Sequence, residues 1–263
     1  MASMPSVFIS HGPPTTVVDG GPTAAFLAQL SRELDKPRAI LCISAHWETA
    51  APAVSTAVNP QTICDFYGFP DALYEISYPA PGARDVAVQA ASALTAAGLA
   101  CACEPGQGLD HGTWVPLALM YPAADIPVAQ VAIQPELGPA HHVEIGKALA
   151  PPREDGILIL GSGNITHNLG DALAHMRSGN PIPPTPEWAS AFDDWVAARI
   201  ASGDVDALVD YLQQAPHAIT VHPRDDHFLP LFTAIGAAED PRGRQCHAKF
   251  MFGSLSQAAY IFD

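Results

Sequence analysis

The chain has 263 residues, 12 Lys+Arg against 27 Asp+Glu for a formal net charge of −15, and 48% hydrophobic residues. That length buries a large core, and the acidic balance excludes nucleic acid or another polyanion as a partner. No apolar run reaches membrane-span length, and Met1-Ala-Ser-Met-Pro5 lacks a basic stretch followed by an apolar one, so a cytoplasmic protein without a membrane role is expected. In chain order, a buried strand is expected at Val7–Ser10, a helix at Ala24–Leu34, a strand at Ala39–Ser44 and a helix at Ala83–Ala97. A strand at Val128–Ile133, a helix at Val143–Leu149 and a strand at Ile157–Leu160 follow. The strands are apolar on both faces and bounded by turn residues, as in a covered sheet.

Further on, Trp188, Phe192, Trp195 and Val196 recur at helical spacing in Trp188–Arg199, with Thr185 as the expected N-cap and Pro186 at the first helical position. The final apolar run, Lys249–Leu255, reads as one more strand. The 26 prolines gather in loops such as Asn180–Pro186, and no linker or repeat divides the chain. The expected fold is α/β: a single catalytic domain over residues 1–263, with a central mostly parallel or mixed sheet and helices on both faces.

Five cysteines, Cys42, Cys64, Cys101, Cys103 and Cys246, are odd in number and show no CxxC spacing, which argues against a disulfide framework or a structural zinc site. Eleven histidines in so sparsely charged a chain carry more information. In an open α/β sheet, ligands bind where strands end and loops converge. His11 follows Val7–Ser10, His46 follows Ala39–Ser44, and His167 follows Ile157–Leu160 more distantly. His111 sits in Leu109-Asp-His-Gly-Thr-Trp114, ahead of the apolar segment Val115–Met120. His227 follows the acidic pair Asp225-Asp226 at the start of an apolar helical run. One histidine near a strand end is ordinarily a hydrogen-bonded structural residue. Several such imidazoles, each beside Gly, Asp or Asn, supply what a non-haem metal site needs: neutral nitrogen ligands and open positions for substrate.

His141, His142, His175, His217 and His247 lack a strand-end setting and read as surface or structural residues, while His222 reads as a group supporting the site or facing substrate. Gly161-Ser-Gly-Asn-Ile-Thr166 has Thr166 where a dinucleotide loop needs a third small residue. No Gly-x-Ser-x-Gly elbow, Gly-Lys-Ser/Thr phosphate loop or HExxH helix is present, so neither Ser10 nor Ser162 carries the signature of a serine hydrolase.

Taken together, Ser10-His-Gly-Pro-Pro14, Ser44-Ala-His-Trp47, Asp65-Phe-Tyr-Gly-Phe-Pro70 with Tyr78-Pro-Ala-Pro-Gly82, Asp110-His-Gly-Thr-Trp114, Gly161-Ser-Gly-Asn-Ile-Thr-His-Asn168 and Asp226-His-Phe-Leu-Pro-Leu231 form ordered blocks. These resemble the DODA-type extradiol aromatic ring-opening dioxygenases of the class III, LigB-like superfamily. The resemblance implies a non-haem Fe(II) enzyme that uses O₂ to open a catechol ring beside its two hydroxyl-bearing carbons. By motif, His11, His46 and His227 match metal ligands, although related enzymes complete the site with a carboxylate and Asp225 and Asp226 adjoin His227. His167 matches the superfamily's acid/base histidine and His111 a second active-site histidine. Family members are also found holding zinc, which suits three imidazoles but has no redox chemistry.

Binding a catechol to Fe(II) through both oxygens requires loss of hydroxyl protons, for which a neutral imidazole is a suitable base. Ser10, Trp47, Asn164 and Tyr260 are candidate pocket-lining, substrate-binding groups. Two rival classes remain: a zinc-dependent hydrolase or amidase on the same histidines, and a non-enzymatic metal-binding interaction protein. Either a monomer or a homodimer is compatible with the sequence.

Overall fold

The computed structural model describes residues 3–177 and 183–263. Four of the expected strands lie side by side: β1 (Ser6–Ser10), β2 (Ala39–Glu48), β5 (Val128–Ile133) and β6 (Ile157–Gly163). They pair in parallel in the order β5-β2-β6-β1. Parallel strands are buried on both faces, which explains their near-continuous apolar composition. Alternate residues then serve two separate layers.

Phe8, Leu41, Ile43, Val131 and Ile159 face one core, against helices Arg84–Ala96, Gly138–Leu149, Glu187–Ser202 and Leu229–Gly236. Val7, Ile9, Ile40, Cys42, Leu158 and Leu160 face the other, against helices Pro22–Glu33 and His111–Met120. Mixed character enters only at the margins. On one side β3 (Ala53–Ser55) meets β5 antiparallel and carries β4 (Ala102–Glu104) as the edge. On the other side β10 (Ala259–Phe262) is antiparallel to β1 and carries β7 (Gly243–His247). The result is a single α/β domain built on an eight-stranded mixed sheet, as expected.

Three local expectations change. Strand β2 does not stop at Ser44. It continues to Glu48 through an irregular stretch in which Ile43 pairs with Val131 and Glu48 with Ile133, so His46 lies within the strand and not after it. Such a bulge re-aims side chains next to a site.

The helix expected from Pro186 starts instead at Glu187, and Thr185 does not cap it. Pro186 keeps an extended backbone (ψ 147°) and its own carbonyl accepts the amides of Ala189 and Ser190, so a residue without an N–H sits where none is needed. Of the proline-rich loop Asn180–Pro186, residues 180–182 lie outside the described residues.

Lys249–Leu255 is no single strand. It folds back as the two-residue strands β8 (Phe250–Met251) and β9 (Leu255–Ser256), reversing at Phe252 and Gly253, where φ is +50° and +80°. Glycine makes that reversal inexpensive. The strand that joins the main sheet is β10, four residues further on.

Candidate active site

The period-two rule places the site. On β2, Ile40, Cys42 and Ser44 alternate toward the second core, and His46 follows. On β1 the same role falls to Val7 and Ile9, with His11 next in phase. On β6, Ser162 continues the face of Leu158 and Leu160, in register with Ile9 on one neighbour and Ser44 on the other. His11 and His46 therefore leave the carboxyl ends of the sheet on the same side, with ring centroids 5.1 Å apart and their Nε2 atoms 3.2 Å apart.

The third ring arrives from the opposite layer. Gly161 and Gly163 sit on the face of β6 that receives segment 225–230, and a Cβ at either would stand 2.5 Å from the Pro230 carbonyl oxygen or 2.1 Å from that of His227. Only glycine lets that backbone lie so close. The amide of Asn164 then donates to the His227 carbonyl at 2.8 Å and fixes the crossing point. From there the His227 ring reaches over the strand end to centroid distances of 5.3 Å from His11 and 4.9 Å from His46. The Gly-Ser-Gly that mimics a dinucleotide loop is thus a seat for the main chain.

His111 is the first residue of its helix, which Asp110 caps by accepting the Thr113 amide at 3.1 Å. The Asp110 carboxylate is buried and also accepts from Ser44 Oγ (2.6 Å) and Gln130 Nε2 (2.5 Å). Burial raises its pKa in spite of those bonds. Gly112 is the point of closest approach, since a Cβ there would stand 2.6 Å from Ser44 Oγ and 2.9 Å from the His46 ring. His111 comes to rest 3.9 Å from His46, centroid to centroid. His167 stacks on His227 at 3.5 Å with the ring planes 12° apart.

Each imidazole of the inner triangle is held by its other nitrogen. Ser162 gives its single hydroxyl proton to the Gly112 carbonyl, so its 3.1 Å contact with His11 is a bond donated by Nδ1–H. Nδ1 of His227 lies 3.1 Å from Asp226 Oδ2, and Nδ1 of His46 lies 3.5 Å from Asp65 Oδ2. Carboxylates only accept, so the His227 ring carries hydrogen on Nδ1 and leaves Nε2 bare, while Asp65 stands on the Nδ1 side of His46. Asp65 serves a second ring, with Oδ1 2.9 Å from His111 Nδ1.

Burial pushes this carboxylate up, and the hydrogen bond and charge of His111, with the charge of His46, bring it below its usual range. Burial, reinforced by the neighbouring imidazoles, holds His11 and His227 well below the usual histidine pKa. Burial and His111 lower His46 to about 3, and burial lowers His167 to about 4 against the pull of Asp226. All four are neutral at neutral pH.

This donor set fits a divalent cation. One ring nitrogen from each of His11, His46 and His227 lies within 4.8 Å of the other two. The Nε2 atoms of His11 and His46 lie 3.2 Å apart, and nitrogens about 2.0–2.1 Å from one ion have such a spacing. Imidazoles braced by carboxylates and a hydroxyl are the usual surroundings of a bound metal.

The rings open into a cavity of about 620 Å³, within the range of small-molecule sites. Phe66, Tyr67 and Phe69 form one wall, with Leu169, Leu173 and Met176 also on the lining. Of the four candidate substrate-binding groups, only Asn164 lines this space. Ser10 continues the opposite face of β1, the face of Phe8, and Tyr260 pairs with Phe8 in the first core, its hydroxyl accepting from Gln245. Trp47 packs on Ala53 and Ala132.

The other histidines are structural where their bonds are visible. His142 bonds the Gly138 carbonyl and the Gln134 amide, and His222 bonds the Ile165 carbonyl while stacking on Phe228. The bracing roles of Asp65, Ser162 and Asp226, and the place of Arg224 on the cavity lining, emerge only from the fold. The aspartates stood beside candidate histidines or inside a motif block, whereas the role of Ser162 was legible only through strand register.

The description "Catalytic LigB subunit of aromatic ring-opening dioxygenase" matches residues 5–263. A 4,5-DOPA dioxygenase extradiol of Beta vulgaris is 40% identical over 97% of this chain and 95% of its own length. One of Escherichia coli K12 is 38% identical over 89% and 85%. The solved structure of an uncharacterized protein from Escherichia coli K12 superposes with TM-score 0.81 at 32% identity, covering 99% of this chain and 100% of that one. The chain belongs to the LigB family of metal-dependent aromatic ring-opening dioxygenases and is an extradiol dioxygenase.

Proposed function

We propose that the enzyme opens a catechol ring with O₂ using Fe(II) held by His11, His46 and His227, as expected for relatives named 4,5-DOPA dioxygenase. The observation that carries this reading is the convergence of three imidazoles, each braced through Nδ1, at the floor of a cavity with an aromatic wall. Fe(II) would hold catecholate and dioxygen side by side and pass electrons between them. Asp226 stays a brace for His227 Nδ1 and is not the third ligand.

His167, neutral and stacked beside His227 on the cavity lining, takes a phenolic proton as the catechol binds and returns it as the ring opens. His111 presents the nitrogen that Asp65 does not hold, and serves as a second proton acceptor or a hydrogen-bond partner for a substrate oxygen. Phe66 lies edge-on to His111 at 5.7 Å and gives the substrate ring an apolar surface to lie on.

The test is an oxygen-electrode assay of protein reconstituted with Fe(II) under anaerobic conditions, then mixed with a panel of catechols and O₂. The expected result is one O₂ consumed per ring and a yellow semialdehyde, with zinc-loaded protein silent. Ring opening by the zinc form, or no oxygen uptake with any catechol, overturns the reading.

A further inference from the structure

The stacked rings of His167 and His227 ride on two stretches of chain that are laced together. Segment 164–168 carries the first ring and segment 220–227 the second. Asn168 Nδ2 donates to the Thr220 carbonyl at 2.8 Å, the His167 amide to that of Val221 at 3.3 Å and the Asn164 amide to that of His227 at 2.8 Å. The middle of the lacing is a side chain. His222 Nε2 lies 2.8 Å from the carbonyl oxygen of Ile165, two residues before His167.

His222 is 4% exposed and stands outside the cavity lining. Phe192, Tyr211 and Phe228 enclose its ring at centroid distances of 5.5, 6.4 and 4.9 Å. Burial lowers its pKa to about 4 against the pull of the Ile165 carbonyl, so at neutral pH the ring is uncharged and holds one proton. A carbonyl only accepts, which puts that proton on Nε2, and Nδ1 meets no hydrogen-bond partner among the described residues. Phenylalanine has the shape for such an apolar cage. What the imidazole adds is one directed bond to the chain that bears His167.

We propose that His222 is a positioning residue for proton transfer: it pins Ile165 to the carrier of His227 and so sets His167 over that ring and toward the bound catechol. The inference rests on the acid/base reading of His167. A general base works only within hydrogen-bond reach of its proton, and a displacement of about 1 Å can cost about 10²-fold in rate. On its other side segment 164–168 is tied to residues 254–256, where Thr166 Oγ1 donates to the Ser254 carbonyl at 2.6 Å and Asn164 Nδ2 to that of Ser256 at 3.0 Å. Those bonds keep the segment in place when His222 is replaced, so loss of the pin shifts His167 without unfolding the site.

The test separates the pin from packing. His222→Phe should leave metal content and KM unchanged and lower kcat by roughly tenfold or more, and His222→Gln, whose amide nitrogen stands where Nε2 stands, should recover most of the loss. In a His167→Ala background His222→Phe should cost nothing further, because its effect passes through the missing ring. In diamagnetic zinc-loaded protein the ring protons of His167, shifted by the ring current of His227 at 3.5 Å, should move toward their unstacked positions in His222→Phe and return in His222→Gln. His222→Asn, whose amide stands at the Nδ1 position and falls short of Ile165, repeats the test with the same expected loss if the phenylalanine is not accommodated. Wild-type kcat in the Phe or Asn variant, a loss that follows metal content, or a full additional loss in the His167→Ala background would overturn the positioning role. Wild-type turnover in His167→Ala would instead sink the acid/base reading, and the ring-proton shift alone would then decide the positioning.

Discussion

The two halves of the candidate metal site are built differently. His11 and His46 rise from the two strands that flank β6 in a parallel sheet, where each ring is the next in-phase residue of a buried strand. His227 is carried by a segment outside the sheet, ahead of helix Leu229–Gly236, and reaches the site because two glycines let its backbone lie on β6. Strand-borne ligands inherit rigidity from the sheet. A loop-borne ligand must be positioned by contacts that each tolerate little change, and a mutation can therefore disturb it from a distance.

That contrast breaks most sharply at the ligands. His11→Ala and His46→Ala should each lose most of the bound metal and all measurable turnover while the fold survives, as read by metal analysis and circular dichroism. Full metal stoichiometry in either variant would remove that residue from the ligand set. Next in size is His167→Ala, expected to keep its metal and lose turnover by roughly 10²–10⁴-fold. Wild-type rates in that variant would end its role in proton transfer.

The comparison sharpens with Gly163→Ala, which pushes a methyl into the His227 carbonyl. Overpacking of this kind costs about 1–3 kcal/mol, or roughly 2–4 °C of Tm per kcal/mol for a chain of this size. Metal affinity should fall more than stability does, because the displaced backbone carries a proposed ligand. A drop in Tm with unchanged metal affinity would show that the glycine serves packing alone.

Asp65→Asn and Asp226→Asn remove the braces behind His46 and His227, with an expected loss of about 10–100-fold in metal affinity. The smallest effect belongs to Tyr260→Phe. Its hydroxyl bonds Gln245 in the core, so stability should drop by about 1 kcal/mol with kcat unaltered, and a large change in kcat would place Tyr260 at the site after all.

Much of the fold was legible because a covered parallel sheet writes its strands as continuous apolar runs. The histidines at the ends of β1 and β2 stood out because a polar ring after such a run has few ordinary reasons to be there. What escaped was decided by pairing at long range. That β2 continues through a bulge to Glu48 depends on β5, which lies 80 residues away.

The braces escaped for a related reason. Asp65 is 46 residues from His111, and Ser162 is 151 from His11, so no local spacing announces either contact. Trp47 and Tyr260 were candidate pocket-lining groups, yet the pairing partner of Tyr260 commits it to the other layer. Strand phase, applied residue by residue, separates His11 from Ser10 where proximity in sequence does not.

The short stretch Gly161-Ser-Gly163 has one further consequence. Its serine holds His11 on one face of the sheet, while its two glycines seat the carrier of His227 on the other. A cation gripped by both rings would bridge the two hydrophobic layers across the sheet between them. Loosening either layer would scatter the grip, so avidity for the ion should act as a coincidence detector that reports when both halves of the interior have consolidated.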